Sequence, residues 1–169
     1  MNLENAIRSV YDFPISGIDF KDITTLLKDR KAFRESIKQL AEISGYDIDI
    51  VVGMEARGFI FGAPLAYEIG AGFVPVRKPG KLPAETIHYE YSLEYGTDKL
   101  EMHKDAIKKG QKVLVVDDLL ATGGTALATI KMIEKLGGIV EACLFLIELE
   151  DLHGRDELEG YKIESIIKY

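Results

Sequence analysis

The chain has 169 residues, enough for one domain of ordinary size, and its 47% of apolar residues can build a continuous core. With 28 acidic against 21 basic side chains the net charge is −7, which repels a polyanion unless basic groups gather on one face, so no nucleic-acid partner is expected. The single cysteine, Cys143, leaves no internal disulfide and, within the apolar run Ala142-Cys143-Leu144-Phe145-Leu146, reads as a reduced core thiol. Met1 to Arg8 lack the basic start and apolar block of a signal peptide. Glu55, Arg57 and Glu68 interrupt the most hydrophobic region before it reaches the roughly 20 residues that span a bilayer. The expectation is a cytoplasmic protein with no membrane partner.

In chain order, Leu3, Ala6, Ile7 and Val10 fall at helical spacing, and Phe33, Ile37, Leu40, Ala41 and Ser44 repeat it behind Asp29, a capping residue. Between these two predicted helices, Phe13-Pro14-Ile15-Ser16-Gly17 through Ile23 has no helical period, and its Pro and Gly mark an ordered surface loop. Asp49 to Gly53 is a β-branched strand ending at glycine, and Gly58 to Ile69 resumes a helical pattern. Phe73 to Lys78 gives a strand with a basic end, and Pro79 to Thr86 is turn chemistry throughout, read as a mobile loop. His88 to Leu93 and Lys99 to His103 flank Glu94-Tyr95-Gly96-Thr97-Asp98 as a predicted hairpin.

Lys112 to Asp117 is a nearly unbroken apolar strand, as for one covered on both faces by helices. Thr125 to Leu136 follows as a helix ended by Gly137-Gly138, then Val140 to Leu149 and Tyr161 to Ile167 as strands. Strands alternating with helices imply an α/β fold: a mostly parallel twisted sheet flanked by helices and wound by right-handed crossovers. No repeat or linker breaks residues 1–169, so a single domain is expected.

The segment Val113-Leu114-Val115-Val116-Asp117-Asp118-Leu119-Leu120-Ala121-Thr122-Gly123-Gly124-Thr125 carries the chemistry. Open α/β sheets bind ligands beyond the C-terminal ends of their strands, where this segment places its acidic pair. Gly123 and Gly124 let main-chain N–H groups approach an anion, Thr122 and Thr125 add hydroxyl donors, and the following helix aims its positive end at the same place. A monophosphate fits that turn. Two carboxylates beside a phosphate would repel it unless they hold hydroxyl groups, so a ribose 5-phosphate suits the whole segment. An apolar strand ending in Asp-Asp also occurs in nucleotide triphosphatases, but the chain has no Gly-x-x-x-x-Gly-Lys-Ser/Thr loop, because Gly80-Lys81 is followed by Leu82. A Gly-x-Gly-x-x-Gly dinucleotide fingerprint is absent too. His88, His103 and His153 sit at no metal-ligand spacing and read as surface or structural residues.

This segment resembles the phosphoribosyl pyrophosphate motif of the type I phosphoribosyltransferase family, and its Asp117 to Thr125 core resembles the adenine-specific branch. The resemblance extends in family order through Phe13-Pro14 with Gly17, Phe20-Lys21-Asp22-Ile23, Glu55-Ala56-Arg57-Gly58-Phe59, Arg77-Lys78 with Gly80-Lys81-Leu82-Pro83, and Tyr91 to Gly96. It implies that the 5-phosphoribosyl group passes from phosphoribosyl pyrophosphate to N9 of adenine, giving AMP and pyrophosphate in purine salvage. Ala121, Thr122, Gly123, Gly124 and Thr125 would then hold the 5-phosphate, and Asp117 and Asp118 the ribose hydroxyls. Pyrophosphate would be held by Glu55, Ala56, Arg57, Arg77, Lys78 and Lys81, with a non-proline cis peptide near Glu55-Ala56. Adenine would be read by main-chain groups of Asp19 and Lys21 and the ring of Phe20, within a base-binding loop over 13–24. The segment 79–96 would be a lid that excludes water.

By the same resemblance Glu94 is the acid/base, Arg57 assists the leaving group and Tyr95 orients the lid or the substrate. Glu90 is the rival of Glu94. Magnesium, a hard ion, would be held mainly by substrate oxygens and water rather than by a protein cage, and the assembly would be a homodimer. Asp19 departs from the apolar residue typical of the family, so base preference turns on whether its carboxylate or only its backbone faces the base. A transferase for hypoxanthine, guanine, xanthine or orotate stays open, as does a regulator that only senses phosphoribosyl pyrophosphate; the short Phe20 loop favours adenine and the charge disfavours the regulator.

Overall fold

A computed structural model describes residues 1–93 and 96–169. The chain forms two compact units, Met1–Gln39 and Leu40–Tyr169.

In the first unit a 3-10 turn, Leu3–Ala6, is capped by Asn2, whose Oδ1 accepts the Glu4 N–H at 2.9 Å. Strand β1 (Arg8–Tyr11) then pairs antiparallel with β2 (Asp19–Asp22), setting Val10 opposite Phe20. Two expectations are corrected here. The helix read over Leu3 to Val10 ends at Ala6, and the loop read over Phe13 to Ile23 gives up its last third to β2. Four apolar residues at helical spacing fit a single turn followed by a strand equally well, and cross-strand pairing outweighs a weak local propensity. Asp12 closes the connection by accepting the Gly17 N–H at 2.8 Å. Helix α1 (Thr24–Lys28) follows β2, and Asp29 caps α2 (Arg30–Ile43), its Oδ1 accepting from the main-chain N–H groups of Lys31 and Ala32 at 2.9 and 3.0 Å.

The second unit is built on a five-stranded, all-parallel sheet. Its strands are β3 (Ile50–Met54), β4 (Gly72–Val76), β7 (Lys112–Leu120), β8 (Ile139–Glu148) and β9 (Ile163–Lys168), in the spatial order β4-β3-β7-β8-β9. Helix α3 (Arg57–Ile69) connects β3 to β4, helix α4 (Gly124–Lys135) connects β7 to β8, and a short helix α5 (Gly154–Glu157) precedes β9. Central strands covered on both faces explain their continuous apolar runs: Val51, Val52 and Val113 to Val116 are fully buried, as is Cys143, whose thiol burial pushes up to about 12.

Between β4 and β7 the chain makes an antiparallel hairpin of β5 (Thr86–Leu93) and β6 (Gly96–His103). Reciprocal main-chain bonds between Arg77 and Glu101, 3.0 and 2.8 Å long, tie it beside β4, and Leu100 and Met102 enter the core. Strand β7 also runs further than read, through Asp117 and Asp118 to Leu120, because β8 continues beside it with Leu119 opposite Ile147 and Leu120 opposite Glu148. From β3 the chain winds to one side of the sheet and from β7 to the other. The crevice beyond the C-terminal ends of β3 and β7 is therefore the topological switch point.

Candidate active site

The end of β3 supplies Glu55, Ala56 and Arg57 to that crevice, and the Glu55–Ala56 peptide is cis, where the family resemblance placed it. The end of β7 supplies the two aspartates. Arg57 reaches across, its Nε 3.0 Å from Oδ2 of Asp118, so a half-exposed guanidinium meets an almost fully buried carboxylate at the switch point. Asp117 turns towards the first turn of α3, where a Cβ added to Gly58 would lie 3.0 Å from its Oδ1; only glycine admits the carboxyl so close. Its Oδ1 also accepts the Asp118 N–H at 2.8 Å. Burial, and after it the adjacent Asp118 carboxylate, push the Asp117 carboxyl well above its ordinary value.

The turn Ala121 to Gly124 leads directly from β7 into α4. Gly123, at φ 89°, sits in the left-handed region that glycine adopts without strain, and it caps the helix without a side chain. A cavity of about 220 Å³ is lined by Ala121, Thr122, Gly123, Gly124 and Thr125, with Tyr91 and Ser92 of the hairpin on its wall. A neighbouring cavity of about 410 Å³ holds Glu90, Thr122, Gly124 and Glu157. All five residues expected to hold the 5-phosphate thus share one concave surface, and the hairpin expected to act as a lid borders it.

Of the cations expected at pyrophosphate, Arg57, Arg77 and Lys78 are each already paired with a carboxylate. Glu55 accepts the Lys78 N–H at 2.7 Å, and its Oε1 lies 3.3 Å from the buried Nε of Arg77, which makes no hydrogen bond among the described residues. The Glu55 carboxylate therefore fastens the end of β3 to the end of β4. The Lys78 ammonium pairs with Asp98 of β6, and the Tyr91 hydroxyl donates to the same carboxylate at 3.2 Å. The Lys78 hydrogen bond, then the Lys99 N–H, hold the Asp98 carboxyl below its usual value; burial and then Asp98 push the Tyr91 phenol up to about 12. Lys81 is exposed beyond Gly80. No role is legible in the sequence for Asp98 or for Tyr91, which enters only within the Tyr91 to Gly96 motif, because the partners that define their roles lie on other segments of the chain.

In the first unit Asp19 and Lys21 lie on one side of β2 and join their side chains at 2.9 Å, Lys21 also donating to Ser9 at 3.0 Å. Phe20 turns the other way, its ring 5.2 Å from that of Phe13 at 75°, and both line a cavity of about 320 Å³ with Val10, Asp22 and Thr24. Hydrogen bonds from Thr24, then Arg8, hold the Asp22 carboxyl down at about 2. Glu94 and Tyr95 lie outside the described residues. Among the described residues no three His, Cys, Asp or Glu side chains gather as a metal cage. The donor set is nevertheless one that suits an ion brought in with the substrate: the paired carboxylates of Asp117 and Asp118, with no third joining them among the described residues. His103 accepts the Ala84 N–H at 3.3 Å, a structural contact.

The phosphoribosyl transferase domain family matches residues 22–167. The adenine phosphoribosyltransferase of Alkaliphilus metalliredigens is 64% identical over 170 residues, covering 100% of both chains. The crystal structure of adenine phosphoribosyltransferase from Thermoanaerobacter pseudethanolicus superposes with a TM-score of 0.95 at 61% identity, over 99% of this chain and 98% of that one. That of the Saccharomyces cerevisiae enzyme, complexed with an imino-altritol bisphosphate and adenine, gives 0.91 at 39% identity over 97% and 96%. With the switch-point crevice and the glycine turn in place and these relatives matching over nearly the full length, the chain belongs to the phosphoribosyl transferase family, in its adenine phosphoribosyltransferase branch.

Proposed function

We propose that the chain transfers the 5-phosphoribosyl group of phosphoribosyl pyrophosphate to N9 of adenine, yielding AMP and pyrophosphate. The observation that carries this reading is the meeting of Arg57 and Asp118 at the switch point, beside the Ala121 to Thr125 turn. A cation for a departing polyanion, a carboxylate for sugar hydroxyls and a cradle for a monophosphate then adjoin one another.

In this mechanism the 5-phosphate sits in the turn, receiving main-chain N–H groups and the Thr122 and Thr125 hydroxyls. Three to five such charge-assisted bonds contribute about 1.5–3 kcal/mol each before desolvation and ordering costs, enough for micromolar binding. Asp117 and Asp118 accept from the ribose hydroxyls and stabilise the positive charge that develops at C1 as the bond to pyrophosphate breaks. Arg57, Arg77, Lys78 and Lys81 face the leaving group; Lys78 exchanges Asp98 for a pyrophosphate oxygen. Magnesium, held mainly by substrate oxygens and water, would supply further positive charge at the leaving group.

Adenine is read by main-chain groups around Asp19 and Lys21 and by the Phe20 ring. The Asp19 carboxylate is held by Lys21, which supports a main-chain reading and an intact preference for adenine over 6-oxopurines. Glu94 takes the acid/base role at the purine proton and Tyr95 orients the lid over 79–96; Glu90, exposed on the wall of the larger cavity, is the competing carboxylate. N9 attacks C1 from the face opposite pyrophosphate, and the configuration inverts. A homodimer in the cytoplasm belongs to the same reading.

Incubation with phosphoribosyl pyrophosphate, magnesium and each base in turn, recording pyrophosphate, tests it. Release with adenine, and little with hypoxanthine, guanine, xanthine or orotate, is expected; no release with adenine sinks the reading. Light scattering reads the assembly state.

A further inference from the structure

Behind the glycine turn the structure packs a segment to which the chemistry above gives no task. After β8 the chain turns across the C-terminal ends of β7 and β9: Leu149 donates its N–H to Leu120 O at 3.0 Å and Glu150 to Tyr169 O at 2.9 Å. His153 adopts a left-handed conformation at φ 52°, and α5 then starts at Gly154.

Gly154 meets the turn backbone to backbone. A Cβ added to Gly154 would lie 2.5 Å from the main-chain oxygen of Ala121 and 2.8 Å from Leu120 Cδ1. From the other side, a Cβ added to Gly123 would lie 2.7 Å from the Gly154 carbonyl oxygen. Neither position has room for one more carbon, and on the Gly154 side the nearest obstacle is main chain, which has no rotamer with which to give way. The conformation of the turn is therefore dictated in part by a residue about thirty positions downstream.

What holds Gly154 there is its neighbour. Arg155 donates from Nε and Nη2 to the two carboxylate oxygens of Glu148, at 2.6 and 2.9 Å, and from Nη1 to Ile163 O at 3.1 Å. Glu148 is buried at the end of β8, opposite Leu120 of β7, and also accepts from Ser165 of β9. A bidentate fork with all its acceptors on two adjacent strands fixes α5 in both position and rotation.

We infer that Gly154, clamped by the Arg155–Glu148 pair, is a positioning residue that sets the main-chain N–H groups of the Ala121 to Thr125 turn for the 5-phosphate; this rests on the assignment of that turn to the 5-phosphate made above. Oriented N–H groups serve an anion only when their directions converge, so a shift of a few tenths of an ångström in the turn weakens the phosphate end of the ligand. Pyrophosphate, held at the β3 and β4 end of the crevice, does not use the turn.

The test measures two product-inhibition constants on the full chain, AMP for the turn and pyrophosphate for the opposite end. Gly154→Ala weakens AMP at least tenfold and changes pyrophosphate less than twofold. Arg155→Lys keeps the charge but loses the fork, and weakens AMP at least threefold with pyrophosphate again unchanged. If Gly154→Ala does not fold, Arg155→Lys decides alone by the same two constants. Equal weakening of both products, or no change in AMP, overturns the inference. AMP that fails to inhibit the wild type overturns instead the assignment of the turn.

Discussion

Asp118→Asn keeps the size of the side chain at the switch point and removes its charge. In the free protein the lost partner is Arg57, 3.0 Å away and 44% exposed, so its guanidinium stays solvated and the pair contributes under about 1 kcal/mol. For a chain of this length that is a fall of at most about 2–4 °C in Tm. With substrate bound, the same carboxylate, whose side chain is only 5% exposed, accepts ribose hydroxyls away from water. A charge-assisted bond there contributes about 1.5–3 kcal/mol, so kcat/KM for phosphoribosyl pyrophosphate falls about tenfold to 150-fold. Asp117 responds as well. Removing the neighbouring charge lowers its raised pKa, although burial, the larger cause, remains. Pyrophosphate release at varied phosphoribosyl pyrophosphate, with thermal unfolding of the same preparation, separates the two effects. A kcat/KM within threefold of wild type would show that the Asp118 carboxylate only anchors Arg57, and the ribose assignment would fall.

Glu94→Gln lowers kcat with little change in KM, and full turnover in that variant moves the acid/base role to Glu90, whose own Gln variant then carries the loss. Glu148 is held below its ordinary carboxyl value of 4.5 chiefly by the Arg155 hydrogen bonds, with Ser165 adding to it. A depressed folded pKa means that its contribution to stability is present above pH 4.5 and is lost as the pH falls through the folded value. The Tm gap between wild type and Glu148→Gln is accordingly constant at pH 6 to 8 and narrows below 4.5; a gap that widens in acid contradicts the ion pair. Cys143, fully buried with its thiol near 12, resists alkylation by iodoacetamide at pH 8 in the native protein and reacts once the chain is unfolded in guanidinium. Rapid labelling of the native state would contradict the packing of β8.

The chemistry-bearing segments were readable because each is contiguous. Asp117-Asp118 and the Thr122 to Thr125 turn need only their own local order to reveal an anion site at a strand end, whereas Arg57 was reached through the family resemblance. The parallel sheet was readable for a related reason: strands buried on both faces must be apolar throughout, as Val113 to Val116 are. Local pattern failed where pairing decided the outcome. Val10 and Phe20 became strand residues because they face each other across β1 and β2, and Leu119 and Leu120 because β8 runs beside them.

By itself, then, the sequence determined the ligand class, through residues that act as neighbours in the chain. Only the tertiary structure decided which groups meet from a distance: Arg57 with Asp118, Lys78 with Asp98, Glu55 with Arg77, and Gly154 with the glycine turn. The physical reason is that a turn's hydrogen-bonding capacity is fixed by its own residues, whereas the direction of those groups and the pairing of each charge depend on which segments the sheet order β4-β3-β7-β8-β9 brings into contact.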